Sequence, residues 1–109
     1  IASVYLNRLK KKMPLQADPT VIYAISEWND FNRKVTYEDL KISSPYNTYV
    51  HRGLPSTPIC VPGKSSIASA LHPQKTDALY FVANKEGRHL FASNYKQHLK
   101  NIIEVRKAN

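Results

Sequence analysis

Apolar and polar residues alternate at helical spacing in the first part of the chain. The apolar positions recur every three or four residues, at Ile1, Val4, Tyr5, Leu9 and Met13. This period predicts an amphipathic helix over residues 1 to about 13, ended by Pro14, with Asn7, Arg8 and three lysines on its polar face.

Two further helices are predicted from their start signals. In the segment Asp18-Pro19-Thr20 the carboxylate can cap free N–H groups. Proline fits the first helical position, because the N–H that it lacks would be unbonded there. This helix is predicted to carry Val21 to Glu27. Thr36, followed by acidic residues, predicts a short helix that runs to about Ile42.

Regular structure is not expected between Ser43 and Gly63, because this stretch holds four of the seven prolines and two of the three glycines. A long Pro-rich loop is predicted instead. Ser65 or Ser66 is expected to cap one or two helical turns that run to Leu71.

The last third of the chain predicts a β-hairpin followed by a helix. Two aromatic-rich runs, Ala78 to Ala83 and His89 to Ser93, flank a turn that contains Gly87. Asn94 is expected to cap the terminal helix. The core side of that helix is predicted to carry Tyr95, Leu99, Ile102 and either Val105 or Arg106, with His98 beside them. The fold class is therefore α+β, with several helices packed around a small antiparallel hairpin.

The charge of the chain keeps a non-enzymatic function open. Sixteen Lys and Arg residues against eight Asp and Glu give a formal net charge of +8, which attracts polyanions. The alternative function is a basic module that binds cell-wall polymer or nucleic acid, and it predicts tight, steeply salt-dependent DNA binding. A structural scaffold for partner proteins is a third class, and it leaves no motif. The longest apolar runs are far shorter than the roughly 20 residues of a membrane-spanning helix.

Several motifs that would indicate catalysis or metal binding are incomplete. Gly63-Lys64-Ser65 looks like the end of a nucleotide-binding P-loop, but the glycine required five positions earlier is Pro58. The four histidines lack metal-ligand spacing, so neither a metal nor a cofactor is expected. No glutamate has the clearly apolar setting of a general acid, and Glu27 beside Trp28 comes closest. Cys60, the one cysteine, is expected to be a small buried residue.

Polar aromatic and amide side chains cluster in three parts of the chain. They are Gln16, Thr20 and Tyr23, then Tyr46, Asn47, Thr48 and Tyr49, then Asn94 and His98. Tyrosine rings interleaved with amides suit recognition of sugars or peptides in a groove. Loop aromatics that anchor a Pro-rich segment to the core are an equally good interpretation.

Specific strings in the chain match a known family in order from end to end. They are Ser3-Val-Tyr-Leu-Asn-Arg-Leu9, Met13-Pro-Leu-Gln-Ala-Asp-Pro-Thr-Val-Ile-Tyr23, Ser44-Pro-Tyr-Asn-Thr-Tyr49, Gly53-Leu-Pro55, His72-Pro73, Ala78-Leu-Tyr-Phe-Val82 and His89-Leu-Phe91. With them the chain resembles the YceG-like family of bacterial endolytic murein transglycosylases.

The resemblance implies an enzyme of the cytoplasmic membrane, held by a single N-terminal helix, with its catalytic part on the extracytoplasmic side. Its partners would be peptidoglycan glycan strands and, in addition, cell-wall synthesis proteins, with no nucleic acid and no cofactor. In this family one glutamate protonates the bond between N-acetylmuramic acid and N-acetylglucosamine, and the product carries a 1,6-anhydro end. That glutamate is expected before Ile1, so residues 1–109 are predicted to be the C-terminal part of the catalytic domain and inactive alone.

The resemblance also implies which residues line the glycan groove. The substrate-binding candidates are Gln16, Asp18, Tyr46, Asn47 and Tyr49, followed by Thr20, His89, Asn94 and His98. Amides and hydroxyls would hold acetamido groups and orient the sugar ring. Replacing Asn47 with Ala is expected to lower turnover with little loss of stability, unless Asn47 is a loop anchor.

Overall fold

The computed structural model describes residues 1–26 and 33–108. Within them lie four α-helices, a 3₁₀ turn and a two-stranded antiparallel sheet, which confirms the α+β class. In chain order the elements are α1 (Ala2–Lys10), α2 (Asp18–Ser26), the 3₁₀ turn (Asp39–Lys41), α3 (Lys64–Leu71), β1 (Tyr80–Ala83), β2 (His89–Ala92) and α4 (Tyr95–Ala108). None of the helices in these two ranges is both long and apolar enough to cross a membrane.

The chain forms two compact units. Unit 1 combines Ile1–Asn7 with Gly63–Asn109, and unit 2 is Arg8–Pro62.

The predicted hairpin is the centre of unit 1. β1 pairs antiparallel with β2, with Tyr80 opposite Ala92 at one end of the ladder. The Asn84 side chain closes the turn by accepting hydrogen bonds from the N–H groups of Glu86 and Arg88. Gly87 has φ +79, a conformation that glycine adopts at no steric cost.

Helix α4 packs against both strands, but the predicted core face is partly wrong. Tyr95 and Leu99 are 58% and 42% exposed, whereas Asn101 and Val105 are buried. The buried stripe is thus rotated relative to the prediction, and a polar residue occupies part of it. The Asn101 amide accepts a hydrogen bond from Gln97 at 2.9 Å and donates one to the Phe91 carbonyl at 3.4 Å.

The beginning of α1 belongs to unit 1. Val4 is 1% exposed, as predicted for the apolar face. The Asn7 amide donates to the carbonyl oxygens of Thr76 and Ala78 at 2.8 and 2.9 Å. Asn7 therefore connects the helix to the segment before β1, a contact that its predicted place on the polar face of α1 did not indicate.

Helix α3 starts one residue before the serines proposed as its cap. Gly63 is the N-cap and makes no side-chain hydrogen bond, so the capping role predicted for Ser65 or Ser66 is wrong. The predicted end at Leu71 is confirmed.

In unit 2, α1 ends at Lys10, three residues earlier than predicted. Lys12 has φ +58, and the Met13 N–H donates to the Arg8 carbonyl at 2.9 Å. Helices commonly end with a residue in the left-handed conformation, followed by a backbone hydrogen bond that reaches back five residues, as the bond from Met13 to Arg8 does. Helix α2 begins at Asp18, one residue before Pro19, the predicted first helical position, so Asp18 is part of the helix and the predicted role as its cap is wrong. The expected last residue of this helix, Glu27, lies with Trp28 outside the described residues.

The described residues of unit 2 that follow α2, from residue 33 onward, are mostly irregular. The short helix predicted from Thr36 is a 3₁₀ turn at Asp39–Lys41. From Ser43 to Gly63 the chain contains turns and bends but no helix or strand, which confirms the predicted long loop. Cys60 within it is exposed, so its predicted burial is wrong.

Candidate functional site

Two threonine hydroxyls tie the start of α2 to the long loop. Thr20 Oγ1 and Thr48 Oγ1 lie 2.8 Å apart, and the Ala17 N–H donates to Thr48 Oγ1 at 2.9 Å. Both threonines are buried, at 5% and 2% exposure. The Thr20 hydroxyl also donates to the Ala17 carbonyl. Thr20 is therefore a buried residue that holds the start of α2 against the loop. Its predicted contact with substrate stays a prediction.

Gln16 lies on the surface directly before this junction. Its N–H donates to the Thr48 carbonyl at 3.2 Å, and its φ is +51. Few residues other than glycine, asparagine and aspartate adopt this left-handed conformation, and such strain often accompanies a functional role. The amide side chain is exposed, so Gln16 is available to a ligand.

Arg8 is the residue of this site that the sequence prediction missed. It is 6% exposed, and its Nη1 donates to the Pro14 carbonyl at 2.9 Å and to Gln16 Oε1 at 3.3 Å. The apolar period of α1 places Arg8 on the polar face of the helix. However, it follows Val4 by four positions, and residues at that spacing share one helix face. That spacing was the available signal.

Asp18 and Tyr49 form a polar pair at the N-terminus of α2. The Tyr49 hydroxyl donates to Asp18 Oδ1 at 2.5 Å. Asp18 is exposed and Tyr49 is half-buried. A negative charge is also favourable at a helix N-terminus. The pair thus presents a carboxylate at the surface with a phenol hydroxyl bonded to it, and the predicted contact of either residue with substrate stays a prediction.

Tyr46 is held by its ring and by its hydroxyl. Its ring centroid is 4.8 Å from that of Tyr23, and its hydroxyl lies 2.8 Å from Thr57 Oγ1. Both tyrosines are half-buried. This arrangement combines the two interpretations of the loop aromatics, because Tyr46 anchors the loop and still has an exposed part.

Asn47 is the most enclosed of the predicted site residues. It is 0% exposed, and its amide nitrogen donates to the carbonyl oxygens of Leu40 and Ile42 at 3.0 and 2.8 Å. Its Oδ1 accepts from the Tyr49 N–H at 2.9 Å. Since these bonds occupy both ends of the amide, the geometry favours the loop-anchor interpretation of Asn47, and a direct substrate contact stays a prediction.

The three remaining candidates lie in unit 1. The His98 ring stacks on Tyr80, with centroids 5.0 Å apart. Asn94 accepts a hydrogen bond from the Gln97 N–H at 2.8 Å and so caps α4 as predicted. His89 packs edge-on against Phe81, with centroids 5.6 Å apart. Unit 2 therefore brings together six of the nine candidates, namely Gln16, Asp18, Thr20, Tyr46, Asn47 and Tyr49.

His89 also lines an open cavity of about 630 Å³ within unit 1. Its polar wall is formed by Ser65, Ser66, Ser69 and His72. The sequence prediction named His89 but did not identify this cavity. In the described part of the chain, no group of three or more His, Cys, Asp and Glu side chains is placed to hold a metal ion.

One carboxylate of unit 2, that of Asp39, is strongly perturbed by its hydrogen bonds. Arg33 donates to both carboxylate oxygens of Asp39, at 2.6 and 3.0 Å, and the Thr36 N–H donates to the same carboxylate at 2.8 Å. The hydrogen bond from Arg33, followed by that from Thr36, holds the pKa of the Asp39 carboxyl well below its usual range. Asp39 is therefore a charged structural group and a poor general acid.

The sequence of the chain matches a known protein family. The model of the YceG-like family matches residues 1–104. An endolytic murein transglycosylase from Bacillus subtilis (strain 168) is 55% identical over 100 residues, covering 92% of this chain and 27% of that protein. A protein of the same name from Streptococcus pneumoniae serotype 2 (strain D39) is 37% identical over 108 residues, covering 95% of this chain and 19% of that protein.

A solved structure also resembles the chain. The crystal structure of a YceG-like protein from Listeria monocytogenes has a TM-score of 0.84 and 50% sequence identity, covering 91% of this chain and 32% of that one. The chain thus spans 19% to 32% of the length of these relatives.

Proposed function

Because the chain belongs to the YceG-like family, we propose that the full-length protein is an endolytic transglycosylase that cuts the glycan strands of peptidoglycan. The observation that supports this most is the 55% identity to the named Bacillus subtilis enzyme across 92% of the chain. The exposed amide of Gln16, the exposed carboxylate of Asp18 and the half-buried phenol of Tyr49 are polar groups of the kind that binds a sugar.

The proposed reaction is an intramolecular transfer without water. A glutamic acid donates its proton to the glycosidic oxygen as the bond from the N-acetylmuramic acid anomeric carbon to that oxygen breaks. The 6-hydroxyl of the same sugar bonds to the anomeric carbon and gives its proton to the resulting glutamate. The products are a free N-acetylglucosamine hydroxyl and a 1,6-anhydro end, and the glutamate returns to its acid form.

We assign this general acid to none of the described carboxylates; the family resemblance implies a glutamate that precedes Ile1. The present residues would then bind and orient the glycan. Amides suit the acetamido groups of the substrate, and correct orientation of the muramoyl ring brings its 6-hydroxyl within reach of the anomeric carbon. We further propose that a helix outside these 109 residues attaches the full-length protein to the cytoplasmic membrane.

Product analysis tests this function. The full-length protein is incubated with purified peptidoglycan, and the new chain ends are identified by chromatography and mass spectrometry. We expect 1,6-anhydro ends, each lighter than a hydrolysis product by one water. Reducing ends would instead indicate a hydrolase, and an intact polymer would contradict the proposal. The isolated 109-residue chain is expected to produce no new ends in the same assay.

A further inference from the structure

The contact between Arg8 and Gln16 gives the buried arginine a role that is not explained by packing alone. Arg8 Nη1 donates one hydrogen bond to the Pro14 carbonyl and one to Gln16 Oε1. We propose that Arg8 is a positioning residue for substrate binding: it holds the Gln16 amide so that the Nε2 group faces an acetamido-bearing glycan. The inference rests on the proposed function.

The chemistry of the arginine fixes which way the Gln16 amide points. A guanidinium carries only donors, so the atom of the glutamine that faces it must be the oxygen. The amide is planar, and Nε2 therefore lies on the other branch, away from Arg8. Because Gln16 is exposed, these two N–H donors are available to an acceptor such as the carbonyl of an acetamido group.

The backbone of Gln16 explains why such support is required. Its φ of +51 is unfavourable for a side chain with a Cβ. The bond from its N–H to the Thr48 carbonyl, at 3.2 Å, holds the backbone in this conformation. Arg8 then restricts the side chain, so the amide is ordered before a ligand arrives. Pre-ordering of this kind reduces the conformational entropy lost on binding.

The burial of Arg8 makes this restriction effective. At 6% exposure the guanidinium is largely shielded from water, and hydrogen bonds from a charged donor are stronger than those between neutral groups. Lys10 is also a cation at the end of α1, but it is exposed. A solvated side chain of this kind does not restrict the position of a neighbouring side chain. Lys10→Met is therefore the matched control for removal of a positive charge.

Steady-state kinetics of the full-length protein on a soluble peptidoglycan oligomer test the inference. The variants are Arg8→Met, Gln16→Gly and the double variant. Glycine is chosen at position 16 because it removes the amide and tolerates the positive φ. We expect each single variant to raise KM on the order of tenfold, the effect of one lost hydrogen bond, with kcat changed less than about twofold.

The double variant separates positioning from folding. If Arg8 acts through Gln16, adding Arg8→Met to Gln16→Gly raises KM no further. If Arg8 were only structural, Arg8→Met would instead lower the folded fraction of the protein. That loss reduces the apparent kcat and leaves KM unchanged. Lys10→Met should leave both constants close to those of the unmodified protein. Arg8→Lys, which keeps a buried cation but not the planar donor group, is the substitute if Arg8→Met does not fold, and it too should raise KM.

Each other outcome overturns the inference. A KM unchanged in Arg8→Met or in its substitute, or KM effects that multiply in the double variant, would show that Arg8 does not act through Gln16. These results leave the proposed function intact as long as the unmodified protein makes 1,6-anhydro ends. If the unmodified protein cuts no glycan, both the proposed function and this inference are contradicted.

Discussion

Replacing Asn47 with Ala is expected to unfold the long loop of unit 2 rather than merely to weaken substrate binding. The Asn47 side chain is 0% exposed and makes three hydrogen bonds to the backbone, to Leu40 and Ile42 as donor and from Tyr49 as acceptor. Each such bond contributes about 1 kcal/mol net. Their loss therefore lowers the free energy of unfolding by about 3 kcal/mol, a large fraction of the stability of an ordinary domain.

Chemical denaturation of the full-length protein, followed by circular dichroism, measures this change. Hydrogen exchange of the peptides that span residues 40–50 locates it, because loss of the anchor should release those amides first. A second variant, Asn47→Asp, keeps the acceptor for Tyr49 but places a carboxylate against the carbonyl oxygens of Leu40 and Ile42. We expect it to be at least as destabilising as Ala at neutral pH. Its folded-state pKa would be raised, so stability should return as the pH falls.

The opposite result would refute the anchor interpretation. If Asn47→Ala retains its denaturation midpoint and its exchange protection while turnover falls, the amide contacts substrate, as the resemblance implied. A variant that loses stability and activity in parallel, with KM unchanged for the folded fraction, supports the anchor.

Three further predictions concern the same fold. The pKa of Asp39 is depressed chiefly by the hydrogen bond from Arg33, so the contribution of Asp39 to stability is present above its unfolded pKa, near 3.8, and is lost as the pH falls below it. Acid denaturation should show this loss, and Asp39→Asn should abolish it; an identical acid profile in that variant would contradict the assignment. Gly87→Ala should cost about 1 kcal/mol in thermal unfolding, because its φ is +79 while an added Cβ meets no atom within 4 Å. Gly63→Ala, with an ordinary φ of −76, is the control, and equal losses would exclude backbone strain as the cause. Tyr49→Phe should lose roughly 1 kcal/mol through the missing bond to the carboxylate at the start of α2; an unchanged denaturation midpoint would show that the bond contributes nothing.

The elements of the fold were predictable where a local signal decides them. The hairpin was predicted from two aromatic runs around Gly87, and the cap of α4 from Asn94, because turn and cap chemistry act over a few residues. The buried face of α4 was predicted less well. Apolar residues at Tyr95 and Leu99 suggested it, but Asn101 is buried instead, since its amide donates to the Phe91 carbonyl of the hairpin and accepts from the Gln97 side chain. A polar residue with two partners can replace an apolar one in such a stripe.

The candidate site was harder to predict from the sequence than the helices and strands, because its side chains bond to partners that are distant in the chain. The family resemblance named Gln16 and Asn47 together, but only the structure separates an exposed amide from one that is fully enclosed. It also adds Arg8, which donates to the Pro14 carbonyl and to the Gln16 side chain, six and eight positions later in the chain. Partners of this kind depend on the path of the turn between α1 and α2, and that path is set by Lys12 and Gln16 in left-handed conformations. Neither residue type signals such a conformation in a sequence.

Unit 2 holds its site mainly through polar bonds. Among its described residues the buried polar side chains are Arg8, Thr20, Asn47 and Thr48, whereas the buried apolar ones are Leu15 and Val21. A long loop without strands must find partners for its backbone groups, and here side-chain amides and hydroxyls provide several of them. The positions of the site residues are consequently set by hydrogen bonds, which are directional, more than by apolar packing. Small changes in hydrogen bonding should therefore displace Gln16, Asp18 and Tyr49 more than changes in apolar volume do.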